Sequence, residues 1–136
     1  RGTHSGRMIW PAPEYTRITS YYGYRTHPVT GQEKNFHKGI DIAAPEGANA
    51  VAVLGGKVVT SEYNNGGYGN CVEIDHGNGI RTLYAHGSAL CVSKGDIVSQ
   101  GQVIMKVGDT GLSEGNHLHF EVKINGSRVN PLDYLP

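Results

Sequence analysis

Two short stretches of this chain carry the side chains best suited to holding a metal ion: His117-Leu118-His119 in GNHLHFEV, and His37 with Asp41 in FHKGIDIA. The first runs on as Phe120-Glu121-Val122-Lys123-Ile124, alternating apolar and polar as a half-buried strand does. Residues two apart on a strand face the same side. His117 and His119 would then present two imidazoles side by side, with Leu118 turned into a core. An ordinary strand with a polar face has the same pattern, so this pair needs the rest of the chain to give it meaning. His37 and Asp41, four apart, would share a face on a helix. Gly39, β-branched Ile40 and Ile42, and the following Pro45 disfavour a helix. On a strand His37, Gly39 and Asp41 share one face, and the glycine leaves room for an ion between them.

The chemistry of such a set is specific. Catalytic zinc takes three protein ligands and keeps one position open for water. Imidazole nitrogens and a carboxylate oxygen suit that metal. The bound water is acidified to a pKa near roughly 7, and a neighbouring imidazole can take or deliver its proton. The chain has seven histidines. His86, in LYAHGS, is expected where a strand ends and a loop begins, and joins the candidates. His76, beside the Gly77 turn, reads as structural. His4 lies in the aperiodic start RGTHSGRM and is given no role. Spacing leaves open which of His37, His86, His117 and His119 would be ligands.

The elements that must position these residues read as strands. Residues 9–36 are punctuated by Pro11, Pro13, Gly23, Pro28 and Gly31, which predicts loop with one short strand near Ile18. AVAVLGGKVVTSE turns or bulges at Gly55-Gly56. GNCVEID and IRTLYAH are joined through Gly77-Asn78-Gly79, a hairpin signal. ALCV, the SKGD turn, IVSQGQVIMKVG and HLHFEVKI follow, with a last turn at Asn125-Gly126 and a single helical turn near Leu132. The expected class is all-β, with antiparallel strands. At 136 residues the chain is one domain with one core. Residues 1–8 are expected to be leader or expression-derived residues, and 9–136 the domain.

Lys+Arg and Asp+Glu are 12 each, which gives no basic field for nucleic acid. No apolar run reaches the length of a membrane span, and no signal peptide or anchor is visible. Cys71 and Cys91 could form one disulfide or remain thiols.

FHKGIDIA, LYAHGS, and GDTGLSEGNHLHFEV followed by VNPLDYL resemble the lysostaphin/LytM-type zinc endopeptidases of bacterial cell walls. The likeness also takes in ITSYYGYRTHP, GYGNCVEIDHGNG and VSKGDIVSQGQVI, from about Ile18 to Leu135. It implies a lysostaphin-like (duplicated hybrid motif) fold and a Zn2+ cofactor held by His37, Asp41 and His119. It implies His86 and His117 as catalytic residues that do not bind the metal. His117 would be the general base, and His86 would assist the oxyanion or protonate the leaving amine. All five positions are filled, as in family members that are active. The implied activity is hydrolysis of stem or cross-bridge peptides of peptidoglycan by a zinc-activated water. The bond expected has Gly or D-Ala on its acyl side. The location implied is extracytoplasmic, in the cell wall or secreted, with other cell-envelope proteins as further partners. A scaffold or amidase activator of the same fold is the alternative.

Arg25 and Asn35 fall where the family borders its groove, and Arg25 could meet a substrate carboxylate. The groove walls are expected around residues 21–36, 61–69 and 87–90. Gly31 stands where some relatives carry a groove tyrosine. Gly87 replaces a leucine after the YAH motif and is expected to loosen that loop. Glu121, on the strand face of His119, could support that ligand from behind or be a solvated carboxylate. VSKGDIVSQGQVI also resembles the hairpins of biotinyl and lipoyl carriers. Neither Lys57 nor Lys94 has the small or apolar neighbours an acceptor lysine needs.

Overall fold

The structure is a computed structural model that describes residues 7–26, 34–111, 113 and 115–136, with residues 24–26, 34 and 35 described by their backbone alone. In chain order the strands are β1 (Ile18–Ser20), β2 (Gly23–Thr26), β3 (Lys34–His37), β4 (Ile40–Ala43), β5 (Asn49–Val51) and β6 (Gly56–Asn64). There follow β7 (Gly69–Gly77), β8 (Ile80–Leu90), β9 (Ile97–Val98), β10 (Val103–Val107), β11 (His117–Ile124) and β12 (Ser127–Val129). A 3-10 turn at Pro131–Asp133 is the one helical element among the described residues, and the Asn130 side chain caps it. None of their helices is long and apolar enough to cross a membrane.

Ten strands form one sheet whose main path is β1-β4-β11-β8-β7-β6-β9, while β2 and β3 pair separately. All strand pairings described are antiparallel. The β2–β3 hairpin corrects the expectation of loop over residues 21–36. Gly23 and the polar residues that follow gave no alternation to read, because this pair lies outside the large sheet.

Period-2 alternation sorts side chains onto two faces of the central strands. Ile40 and Ile42 of β4, Tyr84 of β8, and Leu118, Phe120 and Val122 of β11 all enter the main core. Tyr84 and Phe120 meet there with ring centroids 5.2 Å apart. Met8, on the leader side of the expected boundary, is buried in the same core. Burying one such large apolar side chain contributes about 1.5–3 kcal/mol. The opposite face of β8 carries Leu83 and Ala85, which pack with Cys71 and Tyr68 into a smaller cluster. Of that second cluster, Tyr68 lines the groove described below.

Turn chemistry fixes the register. Asn78 (φ 55°) and Gly79 (φ 80°) close the β7–β8 hairpin, and Asn125 (φ 51°) with Gly126 (φ 87°) closes β11–β12. Positive φ at both central residues is the geometry these two-residue turns require. Gly39 serves a different purpose from the one its position suggested. A Cβ there would stand 2.1 Å from the Phe120 carbonyl oxygen, so glycine lets the chain pass close to β11 rather than leaving space for an ion.

Cys71 is buried and Cys91 exposed, and both are free thiols.

Candidate metal centre

Sheet register brings the two sequence stretches together. In the β4–β11 ladder Asp41 lies directly opposite His119, and His117 lies opposite the small Ala43. Directly opposed residues share a face with Cβ atoms about 4.5–5.5 Å apart, and here His119 Nδ1 stands 2.8 Å from Asp41 Oδ1. His117 Nε2 lies 3.6 Å from the same oxygen. His37 comes from a different place than expected. β3 ends at His37 and β4 begins at Ile40, so His37 and Asp41 do not share a continuous strand. The chain turns between them, and His37 Nε2 still reaches 3.4 Å from Asp41 Oδ1.

His37, Asp41 and His119 offer three ligand atoms within 4.8 Å of one another. Zinc bonds of about 2.0–2.2 Å in tetrahedral array put neighbouring ligand atoms about 3.3 Å apart. Two imidazoles and one carboxylate at these separations therefore fit zinc.

Each ring is held by its other nitrogen. His37 Nδ1 is 3.0 Å from the Tyr21 carbonyl, His86 Nδ1 is 2.7 Å from the Thr110 carbonyl, and His117 Nδ1 is 3.0 Å from the Gly115 carbonyl. A carbonyl only accepts, so each Nδ1 carries a proton, and in the neutral ring each Nε2 keeps its lone pair. His119 is reversed: its Nε2 lies 2.9 Å from Glu121 Oε2, and Nδ1 faces Asp41. The His86 and His117 rings are 4.8 Å apart between centroids.

His86 is not at a strand end. It lies inside β8, buried, with φ 67°. A left-handed backbone at a residue with a side chain is costly and persists only where the surroundings enforce it. Here the Tyr68 carbonyl accepts the His86 N–H at 2.8 Å, and the Thr110 hydroxyl donates to the Gly87 carbonyl at 2.6 Å. Gly87 does not loosen this segment. A Cβ there would stand 2.5 Å from Met105 Sδ, so glycine permits close packing of β8 against β10.

Charge follows from these contacts. Burial opposes ionisation of Asp41, but hydrogen bonds from His119 and His37 outweigh it and hold the carboxyl well below the usual carboxylate range. Burial also opposes the charge on His119, yet its bonds to Asp41 and Glu121 raise it to about 9. Burial lowers His86, and the neighbouring imidazoles of His117 and His119 push the same way, so His86 is neutral at neutral pH.

Glu121 is fully buried, which removes the solvated reading of that residue. Its Oε2 accepts from Tyr68 Oη at 2.6 Å as well as from His119, and its Oε1 accepts from Arg128 Nε at 2.8 Å. Burial disfavours its charge, but these partners bring its pKa down to about 2. Tyr68 and Arg128 were missed by the sequence reading. Arg128 pairs with Lys123 across the β11–β12 hairpin, so its reach to the diagonal neighbour Glu121 was implicit in the Asn125-Gly126 turn. Nothing in the local sequence marked Tyr68.

The centre opens into a groove of about 850 Å³. Phe36 to Lys38 form one wall, Gly66 to Tyr68 another, and Ser113 with Gly115 to His117 a third. Residues 87–90 do not line it, because β8 continues through them. The backbones of Arg25 and Asn35 pair in β2–β3. Their side chains, and Gly31 entirely, lie outside the described residues.

Comparison with known proteins identifies the family of the chain. Residues 35–131 match the family model for peptidase family M23. The chain is 51% identical over 118 residues to the DD-carboxypeptidase/endopeptidase Mpg of Neisseria meningitidis, covering 87% of this chain and 27% of that protein. It is 41% identical over 106 residues to the murein hydrolase activator NlpD of Salmonella dublin, covering 78% and 28%. The chain thus spans about a quarter of the length of these relatives. A zinc-containing peptidase from Vibrio cholerae superposes with a TM-score of 0.80 at 38% identity, covering 89% of this chain and 37% of the other. The catalytic domain of lysostaphin from Staphylococcus simulans superposes with a TM-score of 0.75 at 30% identity, covering 88% and 91%. The all-β fold is that of the lysostaphin-like domains, the cofactor that fits is zinc, and the chain belongs to peptidase family M23.

Proposed function

We propose that this domain is a zinc-dependent endopeptidase that hydrolyses peptide bonds in the stem or cross-bridge peptides of bacterial peptidoglycan, outside the cytoplasm. In this reading His37, Asp41 and His119 hold the ion. One observation carries it: three ligand atoms within 4.8 Å of one another line an open groove. Bound zinc would polarise the scissile carbonyl and acidify a water. His117, with Nδ1 committed to the Gly115 carbonyl, offers the Nε2 lone pair to take a proton. His86, neutral and fixed by Thr110, offers Nε2 beside it, to steady the oxyanion or, once charged, to protonate the leaving amine. The 51% identity to a DD-carboxypeptidase/endopeptidase supports a peptidoglycan peptide as substrate. Arg25 and Asn35 remain proposed substrate contacts.

The likeness to a murein hydrolase activator favours a second reading, in which the domain binds another cell-envelope protein instead of cutting. The complete set of five site residues favours the enzyme. The test is release of soluble peptides from purified cell wall. The enzyme reading predicts release that stops with chelator, returns with zinc, and is lost in His117→Ala. Undiminished release from thoroughly metal-stripped protein would contradict it. Tight zinc binding with no release from any wall type would support the activator.

A further inference from the structure

The buried carboxylate behind the metal centre has no part in the proteolysis outlined above. Glu121 sits on the groove face of β11, opposite Leu83 of the apolar cluster that also holds Ala85 and Cys71. A lone ionised carboxylate there would cost several kcal/mol. It persists because Tyr68, His119 and Arg128 supply three hydrogen bonds from the β6–β7 turn, β11 itself and β12. We propose that Glu121 is a positioning residue: it fixes His119 with Nε2 protonated and Nδ1 turned to the ion, while Tyr68 and Arg128 hold Glu121 in place. This rests on the reading of His119 as a zinc ligand.

In the metal-free protein both nitrogens of His119 face a carboxylate, Nδ1 toward Asp41 at 2.8 Å and Nε2 toward Glu121 at 2.9 Å. An ionised carboxylate only accepts, so at 2.9 Å His119 Nε2 must donate. Binding an ion at Nδ1 would displace the proton that faces Asp41, and Glu121 keeps the one on Nε2. The other three histidines of the cluster receive the opposite instruction, because carbonyls hold their Nδ1 protons. His119 has no carbonyl in that role, and without Glu121 the Asp41 carboxylate would favour a proton on Nδ1, the tautomer that cannot bind an ion there. Tyr68 adds a second restraint, since its ring stacks over that of His119 with centroids 5.8 Å apart. Carboxylates that orient metal-binding histidines in this way are worth about 10–100-fold in metal affinity.

Glu121→Gln is the informative change. One of its two terminal atoms becomes an NH2 donor. If that group faces Arg128, two donors oppose each other; if it faces His119 and Tyr68, it invites the wrong tautomer. The experiment is zinc affinity by chelator competition, with the melting temperature of the metal-free protein measured alongside. NMR of the zinc-loaded protein reports the state of His119. The expected result is zinc binding about 10–100-fold weaker in Glu121→Gln, and a His119 Nε2–H signal in the unmutated protein that exchanges slowly with water. Tyr68→Phe keeps the stacked ring and removes one bond to Glu121, so it should weaken zinc binding less. If Glu121→Gln does not fold, Tyr68→Phe decides. Zinc affinity equal to that of the unmutated protein in the deciding variant, or zinc on His119 Nε2, overturns the proposal. An unmutated protein that binds no zinc would instead overturn the ligand assignment itself.

Discussion

The floor and the walls of the metal centre are built by different means. On the floor Asp41 and His119 meet because β4 and β11 are hydrogen-bonded neighbours in a register that opposes those two residues. Ile40, Ile42, Leu118 and Phe120, all fully buried, lock that register from the other side of the sheet. A slip of one residue would turn one strand's pair, Ile40 with Ile42 or Leu118 with Phe120, out of the core. On the walls register alone does not aim the rings, although His117 shares the β11 ladder. His37 comes from the end of a two-stranded sheet, His117 is oriented by the Gly115 carbonyl, and His86 is held in a strained bulge by Thr110. Placement on the floor follows from the core, whereas the aim of the rings on the walls follows from single backbone carbonyls.

The largest effect should come from cutting into the floor. His119→Ala removes one of three proposed ligands and leaves Glu121 and Asp41 facing a gap. It is expected to lose stoichiometric zinc, measured by metal analysis after dialysis, together with detectable wall hydrolysis. Full zinc content in that variant would break the distinction between floor and walls.

His117→Ala should leave zinc content near one per chain while lowering turnover about 10²–10⁴-fold, the range for a positioned general base. Loss of zinc here would move His117 into the ligand set.

Acidity separates the two regions more gently. In metal-free protein His119 is raised to about 9, so its contribution to stability is complete below its ordinary value of 6.5 and fades as pH rises through 9. Glu121 is lowered to about 2, so its contribution is complete above its ordinary 4.5 and fades as pH falls toward 2. Denaturation midpoints of the metal-free protein should therefore decline between pH 6.5 and 9, and the decline should vanish in His119→Gln. An equal decline in that variant would assign it to other groups.

The smallest effect tests the strain at His86. His86→Gly should be more stable than His86→Ala by about 1 kcal/mol, because glycine adopts a left-handed backbone without steric cost. Both should lose the same imidazole function. Equal midpoints in denaturant would show that the bulge is unstrained.

The floor was also the part that could be read in the sequence. Alternation in HLHFEV turned Leu118 into the core and His119 to the other face, and alternation in IDIA set Asp41 on the face opposite Ile40 and Ile42, which the structure buries, because period 2 is a local property. The turns Asn78-Gly79 and Asn125-Gly126 were legible for the same reason. The family resemblance then joined two stretches that spacing alone could not. What stayed hidden was non-local. The β2–β3 hairpin has little alternation, Gly39 answers to the Phe120 carbonyl, and Gly87 answers to Met105. The Tyr68–Glu121–Arg128 network depends on three segments whose approach no single window of sequence records.

Anomalous diffraction at the zinc edge, from crystals of the zinc-loaded protein, tests the central claim most directly. One peak is predicted, about 2.0–2.2 Å from each of His37 Nε2, Asp41 Oδ1 and His119 Nδ1, with His86 and His117 outside bonding distance. A peak bonded to His86 or His117, or no peak between Asp41 and His119, would contradict the account.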